Sequence, residues 1–182
     1  MSSAREYSST DLHPQGRAGQ VNSNARGILL GITAGVILID RLTKRFIASR
    51  LLDGHAHTVI PGVFRITHVH NTGAAFSMFA ESTSPETVRK ILIAFSVFAV
   101  VIILAMLWRA GRSLTLTSVA LALILGGAFG NLYDRVRYSY VIDFLEVHIV
   151  HYHWPDFNIA DSCIVIGACL LLVEIFRPQP QS

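Results

Sequence analysis

Two aspartates in the second half of the chain have the sequence context of acid–base catalysts. Asp143 lies in the apolar segment 140–144, and Asp161 ends the segment 157–161 at the start of a long apolar run. We expect both at the same end of the predicted helices. Two carboxylates in one partly dehydrated site cannot both ionise, so one activates a water while the other donates a proton. Such a pair titrates as a unit and can hydrolyse amides.

Each aspartate also has a purely structural interpretation. A carboxylate in the first turn of a helix is stabilised by the helix dipole, and Asn158 has the type and position of an N-cap for a helix that contains Asp161. From spacing alone, a catalytic pair and two solvated helix-end carboxylates both remain open.

Polar residues near the end of the third apolar run form a second candidate group. Asn131 and Arg135 fall one helical turn apart on a common face, with Asp134 adjacent. They predict either a polar network beside the aspartates or an interfacial cap and ion pair. The spacing does not choose between these.

The first apolar run ends in charged residues. Asp40 and Lys44 have the i, i+4 spacing of an ion pair in the favourable acid-first order, which indicates a structural role. Arg41 and Arg45 fall on a neighbouring face, from which they can extend to lipid head groups.

Three His-x-His pairs raise the alternative of a metal site. They are His55 with His57, His68 with His70, and His151 with His153. In a strand, both members of a pair point to one face, as metal ligands do. The sequence places no compact carboxylate or thiol group beside them, so we predict no metal and no cofactor.

The composition is that of a membrane protein. Of 182 residues, 52% are hydrophobic and 15% are charged, and the mean hydropathy is +0.48. The net charge of +3 is scattered, which argues against nucleic-acid binding. Four apolar runs predict an all-α protein with four transmembrane helices. Their predicted bounds are about 27–48, 88–108, 114–133 and 158–176.

The remaining segments predict the organisation around these helices. Residues 1–26 form a polar, disordered tail, residues 27–177 one membrane-embedded domain, and residues 178–182 a C-terminal tail. Loose alternation over 57–78 indicates a short extramembrane sheet. The tight connection 109–112 makes helices two and three an antiparallel hairpin, so both termini share one side. Lys and Arg counts do not decide which side is cytoplasmic.

Five segments together resemble the lipoprotein signal peptidase family, also called signal peptidase II, over about residues 28–176. They are Asp40-Arg-Leu-Thr-Lys44, Asn71-Thr-Gly-Ala-Ala-Phe76, Gly126-Gly-Ala-Phe-Gly-Asn-Leu-Tyr-Asp-Arg135, Val141-Ile-Asp-Phe144 and Phe157-Asn-Ile-Ala-Asp161. Each motif alone is weak evidence, but five in register are specific.

The resemblance implies roles for individual residues. Asp143 and Asp161 would be the catalytic dyad, and Asp40 and Lys44 structural residues nearby. Residues that would line or brace the site are Asn71, Asn131, Arg135, Asn158 and Ala160. Gly73 would allow close backbone approach beside the cleft.

The resemblance also implies a location and a substrate. Both termini would be cytoplasmic, with the small sheet near 57–76 outside the inner membrane and the dyad toward the periplasmic surface. The substrate would be a prolipoprotein carrying diacylglycerol on a cysteine, cleaved just before that cysteine. We expect a monomer in contact with membrane phospholipids.

Two rival functions differ in class from a peptidase of this type. A proton- or ion-coupled transporter would use Asp40, Asp143 and Asp161 as a relay, which requires acids at several membrane depths. These three are expected toward one face, which favours a site over a path. A zinc hydrolase would use the His-x-His pairs and would be inhibited by chelators.

Overall fold

The computed structural model describes residues 24–73, 84–150 and 152–177. The predicted tails lie almost entirely outside these ranges. The described residues form a mostly helical structure with a small antiparallel sheet. In chain order, the elements are α1 (Arg26–Arg50), β1 (Ala56–Ile60), β2 (Phe64–Asn71), α2 (Pro85–Ala110), α3 (Leu116–Tyr138), β3 (Val141–Ile149), β4 (Tyr152–His153) and α4 (Ile159–Phe176).

Side-chain caps define where the last two helices begin. Thr115 and Ser118 form a reciprocal capping box at the start of α3, and Asn158 and Asp161 form another at the start of α4. At its other end, α3 continues to Tyr138, beyond the predicted end at 133. The extension is stable because Asp134, which looked like an interfacial residue, is buried and ion-paired.

Helix α3 lies at the centre of the helical layer and packs against α1, α2 and α4. Glycines allow the closest approaches. A Cβ on Gly126 would lie 2.7 Å from the Cβ of Val36 in α1, and one on Gly127 would lie 2.3 Å from the Ala160 carbonyl oxygen in α4. The small-residue face predicts close packing of this kind in membranes.

Three helices, α2, α3 and α4, are long and apolar enough to cross a membrane. Helix α1 is not among them, so the prediction of four spans is supported for three. The reason is local, because the second half of α1 carries Asp40, Arg41, Lys44 and Arg45. Every 18-residue stretch of α1 includes some of these charged residues.

The sheet has the order β1-β2-β3-β4, with antiparallel neighbours throughout. Apart from Ala56, strands β1 and β2 lie within the segment 57–78 that alternation predicted to be a sheet. Residues 74–78 of that segment are outside the described ranges. Strand β3, which contains Asp143, lies between the third and fourth predicted helices, where the sequence analysis predicted no strand. Its pairing with β2 places Val69 opposite Asp143 and Asn71 opposite Val141.

We expect Gly127→Ala to destabilise the protein by about 1–3 kcal/mol, because the added methyl would overlap the Ala160 carbonyl and Ile164. Thermal unfolding in detergent measures the change. Gly35→Ala is the matched control, since a Cβ there meets nothing within 4 Å, and a mid-helix glycine replaced by alanine gains about 0.5–1 kcal/mol. Equal unfolding temperatures for the two variants would contradict tight α3–α4 packing.

Candidate active site

Asn158 connects the two aspartates. Its side-chain nitrogen donates to Oδ1 of Asp143 at 2.7 Å, and its backbone nitrogen donates to Oδ2 of Asp161 at 3.1 Å. Asn158 is fully buried, and Asp143 is 2% exposed. The start of α4 and the strand β3 therefore meet at one residue that contacts both carboxylates.

The second oxygen of Asp143 is held from β2. Asn71 donates from Nδ2 to Oδ2 of Asp143 at 2.8 Å, and its own Oδ1 accepts from the backbone nitrogen of Gly73 at 2.9 Å. The Gly73 bond fixes which end of the Asn71 amide faces the carboxylate. Gly73 has φ +83, and a Cβ there would lie 2.5 Å from Leu92 Cδ1. The positive φ favours glycine, and a Cβ would also require the Leu92 side chain to move.

The second oxygen of Asp161 is held from α3. Asn131 donates from Nδ2 to Oδ1 of Asp161 at 2.7 Å, while Asn131 Oδ1 accepts from Lys44 Nζ at 3.1 Å. Because a cation can approach only the oxygen end of the amide, Lys44 determines that the amino end faces Asp161.

A buried cluster of charged residues is joined to these hydrogen bonds through Lys44. Lys44 is fully buried, with its Nζ 2.8 Å from Asp40 Oδ2 and 2.7 Å from Asp134 Oδ2. Arg41 Nη1 lies 2.6 Å from Asp134 Oδ1. Asp40 also accepts from the backbone nitrogen of Ala160 at 3.1 Å, which anchors the first turn of α4. Two cations thus compensate two carboxylates.

Arg41 corrects an expectation from the sequence. Instead of extending to head groups, it pairs with Asp134, donates to the Tyr138 hydroxyl at 3.0 Å and lies over the Tyr133 ring at 4.3 Å. The spacing within α1 could not show this contact, because Asp134 is 93 residues away in sequence.

Arg135 is half-buried and lies one helical turn after Asn131. Its Nη1 donates to the backbone oxygen of Asn131 at 3.4 Å, which is the long end of the hydrogen-bond range. Among the described residues, Arg135 makes no ion pair within 4.0 Å. Its other side-chain donors have no hydrogen-bond partner among those residues.

The environment of Asp143 favours its protonated form. Burial raises the pKa of Asp143 to about 7, and the charge of Asp161 acts in the same direction. Hydrogen bonds from Asn71 and Asn158 oppose this shift but do not cancel it. A carboxyl group of this kind holds a proton near neutral pH, as a general acid must.

The structure brings together every residue that the sequence analysis placed at or near the aspartates. It also shows a group that the analysis missed. Glu146, His148 and His153 lie together on the β3–β4 hairpin, so the statement that no carboxylate accompanies the histidines was wrong. The members of a His-x-His pair are two residues apart, whereas the hairpin pairs His148 with His153, which are five residues apart. His151 lies outside the described residues.

The chain matches a known protein family over most of its length. The model of a family described as signal peptidase (SPase) II, Peptidase_A8, matches residues 32–177. The chain belongs to the signal peptidase II family. The family is one of peptidases, so the transporter interpretation is not supported.

Individual relatives show how much of the chain is shared. It is 43% identical over 152 residues to a lipoprotein signal peptidase of Solibacter usitatus, covering 84% of this chain and 92% of that protein. It is 45% identical over 149 residues to one of Janthinobacterium, covering 81% and 87%. A solved bacterial membrane enzyme matches with a TM-score of 0.69 at 32% identity, over 84% of this chain and 95% of that one.

We expect Lys44→Met to destabilise the protein by about 3–5 kcal/mol, because two buried carboxylates would lose their shared cation. Lys90→Met is the matched control. Lys90 forms the same i, i+4 acid-first pair, with Glu86 at 2.9 Å, but its side chain is 69% exposed, and such pairs contribute about 0.5 kcal/mol or less. Equal unfolding temperatures of the two variants in detergent would contradict the inference that Lys44 compensates the charge of two buried carboxylates.

We expect Asp143→Asn to become more stable relative to the wild type as pH rises from about 4 to about 7. The folded wild type keeps a proton on Asp143 up to about pH 7, whereas an unfolded aspartate ionises near pH 4. The folded state therefore binds more protons in this window, and raising the pH lowers its stability. The asparagine variant has no such titration.

The measurement is the difference between the two unfolding temperatures in detergent at a series of pH values. We expect this difference to grow in favour of the variant across the window and to level off above it. A difference that is constant from pH 4 to pH 8 would show that the pKa of Asp143 is not raised.

Proposed function

We propose that this membrane peptidase is an aspartic endopeptidase whose catalytic pair is Asp143 and Asp161. The observation that carries the proposal is the Asn158 bridge, which holds both carboxylates in one site while burial raises the pKa of Asp143 to about 7. Asp161 and Asn71 are not fully buried, so water can enter from that side.

In the proposed reaction, a water attacks the scissile carbonyl carbon and transfers one proton to Asp161. Asp143 donates its proton to the carbonyl oxygen, which forms a tetrahedral diol. The proton on Asp161 then passes to the amide nitrogen as the C–N bond breaks, and one diol hydroxyl returns its proton to Asp143. Both aspartates regain their starting state, and no covalent intermediate or cofactor is involved.

We propose that Arg135 binds the substrate and that Asn71 positions Asp143. The Asn71 amide is engaged at both ends, with Asp143 and with Gly73. Arg135 has one long hydrogen bond to backbone and lies on the turn after Asn131. Its donors suit an oxyanion or a lipid head group on the substrate. Ala160 braces the pair through its backbone bond to Asp40.

We further propose that α1 is a fourth transmembrane helix. It has 25 residues, which at 1.5 Å each give about 37 Å, enough to cross a bilayer core of about 30 Å. Its charged residues Asp40 and Lys44 are fully buried against α3, while its exposed side chains from residue 27 to residue 46 are apolar except for Arg45. The exposed apolar side chains of its second half are Leu38, Ile39, Leu42 and Phe46.

The substrate proposed is a diacylglyceryl-modified prolipoprotein, cut just before its lipidated cysteine. The relatives are named lipoprotein signal peptidases, which supports this substrate class. A lipid-anchored substrate cannot leave the bilayer, so the acid pair must lie at membrane depth and still admit water. We place the chain as a monomer in the bacterial inner membrane, among phospholipids, with both termini cytoplasmic and the site toward the periplasmic surface.

The test is cleavage of a lipidated prolipoprotein in detergent by wild type, Asp143→Asn and Asp161→Asn, each with and without EDTA. We expect each variant to lose at least about a thousandfold in rate, since each removes one proton-transfer step. We expect EDTA to leave wild-type cleavage unchanged.

Asp53→Asn is the control, because Asp53 is an exposed carboxylate that pairs with His70 and is not among the residues that hold Asp143 or Asp161. It should cleave at the wild-type rate. Thermal unfolding of each variant establishes that it is folded. Near-normal cleavage by a folded Asp143→Asn or Asp161→Asn would refute the aspartic mechanism.

A further inference from the structure

Three metal-ligand side chains share one face of the β3–β4 hairpin. His148 and His153 are direct cross-strand partners, and Glu146 precedes His148 by two residues on β3. Side chains two apart on a strand, and those directly opposite on its partner, point to the same face. The hairpin register alone therefore brings Glu146, His148 and His153 together.

Their ligand atoms converge on one point. Nε2 of His148 and Nε2 of His153 lie 2.7 Å and 2.8 Å from the same atom, Oε1 of Glu146. The three ligand atoms lie within 4.8 Å of one another. The two rings are edge to face, with centroids 5.1 Å apart. Movements of side chains alone would bring all three atoms to about 2.0–2.2 Å from one ion.

Surrounding groups hold Glu146 in place as an anion. Its residue is 4% exposed, and its Oε2 lies 3.2 Å from Nε of Arg65, which leaves Oε1 for the histidines. A carboxylate ligand whose second oxygen is held by a neighbouring residue is typical of metal sites in proteins.

A second carboxylate near the hairpin, that of Asp156, is half-buried. Oδ1 of Asp156 is buried and has no hydrogen-bond partner among the described residues. Arg65 offsets the charge of Glu146, so Asp156 adds a second carboxylate whose charge a divalent cation would neutralise.

We propose that Glu146, His148 and His153 bind a divalent transition-metal ion of the zinc type, with Asp156 or water as the fourth ligand. Two imidazole nitrogens and a carboxylate oxygen form a donor set that zinc prefers. The ion would join β3 to β4. Glu146 is three residues from Asp143, so alternation places it on the opposite face of β3, about 10 Å along the strand. The metal site is therefore separate from the catalytic pair.

The experiment uses the full chain in detergent without a histidine tag, stripped with EDTA and dialysed. Zinc binding is measured by isothermal titration calorimetry, and bound zinc is counted by elemental analysis after gel filtration. We expect one zinc per chain and a higher unfolding temperature in the presence of zinc.

The test variants are His153→Ala and His148→Ala, with His57→Ala as the control. His153 is a safe position, since its side chain is 51% exposed. His57 is exposed on β1 and is not part of the cluster. We expect each cluster variant to weaken zinc binding at least tenfold and to lose the zinc-dependent stabilisation, while His57→Ala keeps both.

Absence of stoichiometric zinc binding in the wild type would overturn the proposal, as would equal binding by all three variants. Unfolding temperatures measured without zinc show whether each variant is folded. The outcome is independent of the cleavage assay, because prolipoprotein cleavage is expected to proceed in EDTA.

Discussion

Buried charge must be compensated, and that requirement shapes the whole centre of this protein. Asp40, Asp134 and Lys44 are fully buried, and Asp143 is nearly so. An uncompensated ion in such surroundings costs several kcal/mol. The structure meets this cost by placing Lys44 between Asp40 and Asp134. Lys44 then orients the Asn131 amide, so the ion cluster also determines how Asp161 is held.

The first turn of α4 links this buried charge to the candidate catalytic pair. Asp40 holds the backbone of Ala160, and Asn158 caps the helix while it contacts both candidate catalytic carboxylates. Gly127 allows α3 to approach that turn closely. The same contacts that fix the packing of α3 and α4 therefore fix the separation and orientation of the pair. The raised pKa of Asp143 makes this residue less favourable for stability and more suitable as an acid.

Strand β3 carries residues of both proposed sites because its side chains alternate. Asp143 joins the helical layer through Asn71 and Asn158, whereas Glu146 joins the histidines of the hairpin. A metal ion on the second site would restrain the strand that positions the first. This gives the hairpin a structural role without making it part of the reaction.

The sequence by itself determined what depends on local spacing. The apolar runs indicated the helices, the i, i+4 spacing indicated the Asp40–Lys44 pair, and Asn158 was recognisable as a cap three residues before Asp161. These follow from the 3.6-residue period and from the unpaired amides at a helix start. Five ordered motifs indicated the family, and the family match is confirmed. The catalytic roles stay predictions.

Only the tertiary structure decided the contacts between distant segments. Asn71 meets Asp143 across 72 residues, and Arg41 meets Asp134 across 93. Segment 141–149 is a strand because β2 offers it a partner, which no local pattern in that segment showed. The histidine cluster likewise depends on hairpin register, not on His-x-His spacing. Spacing along a chain defines neighbours within one element, whereas pairing between elements depends on packing and on the free energy of burying their shared surface.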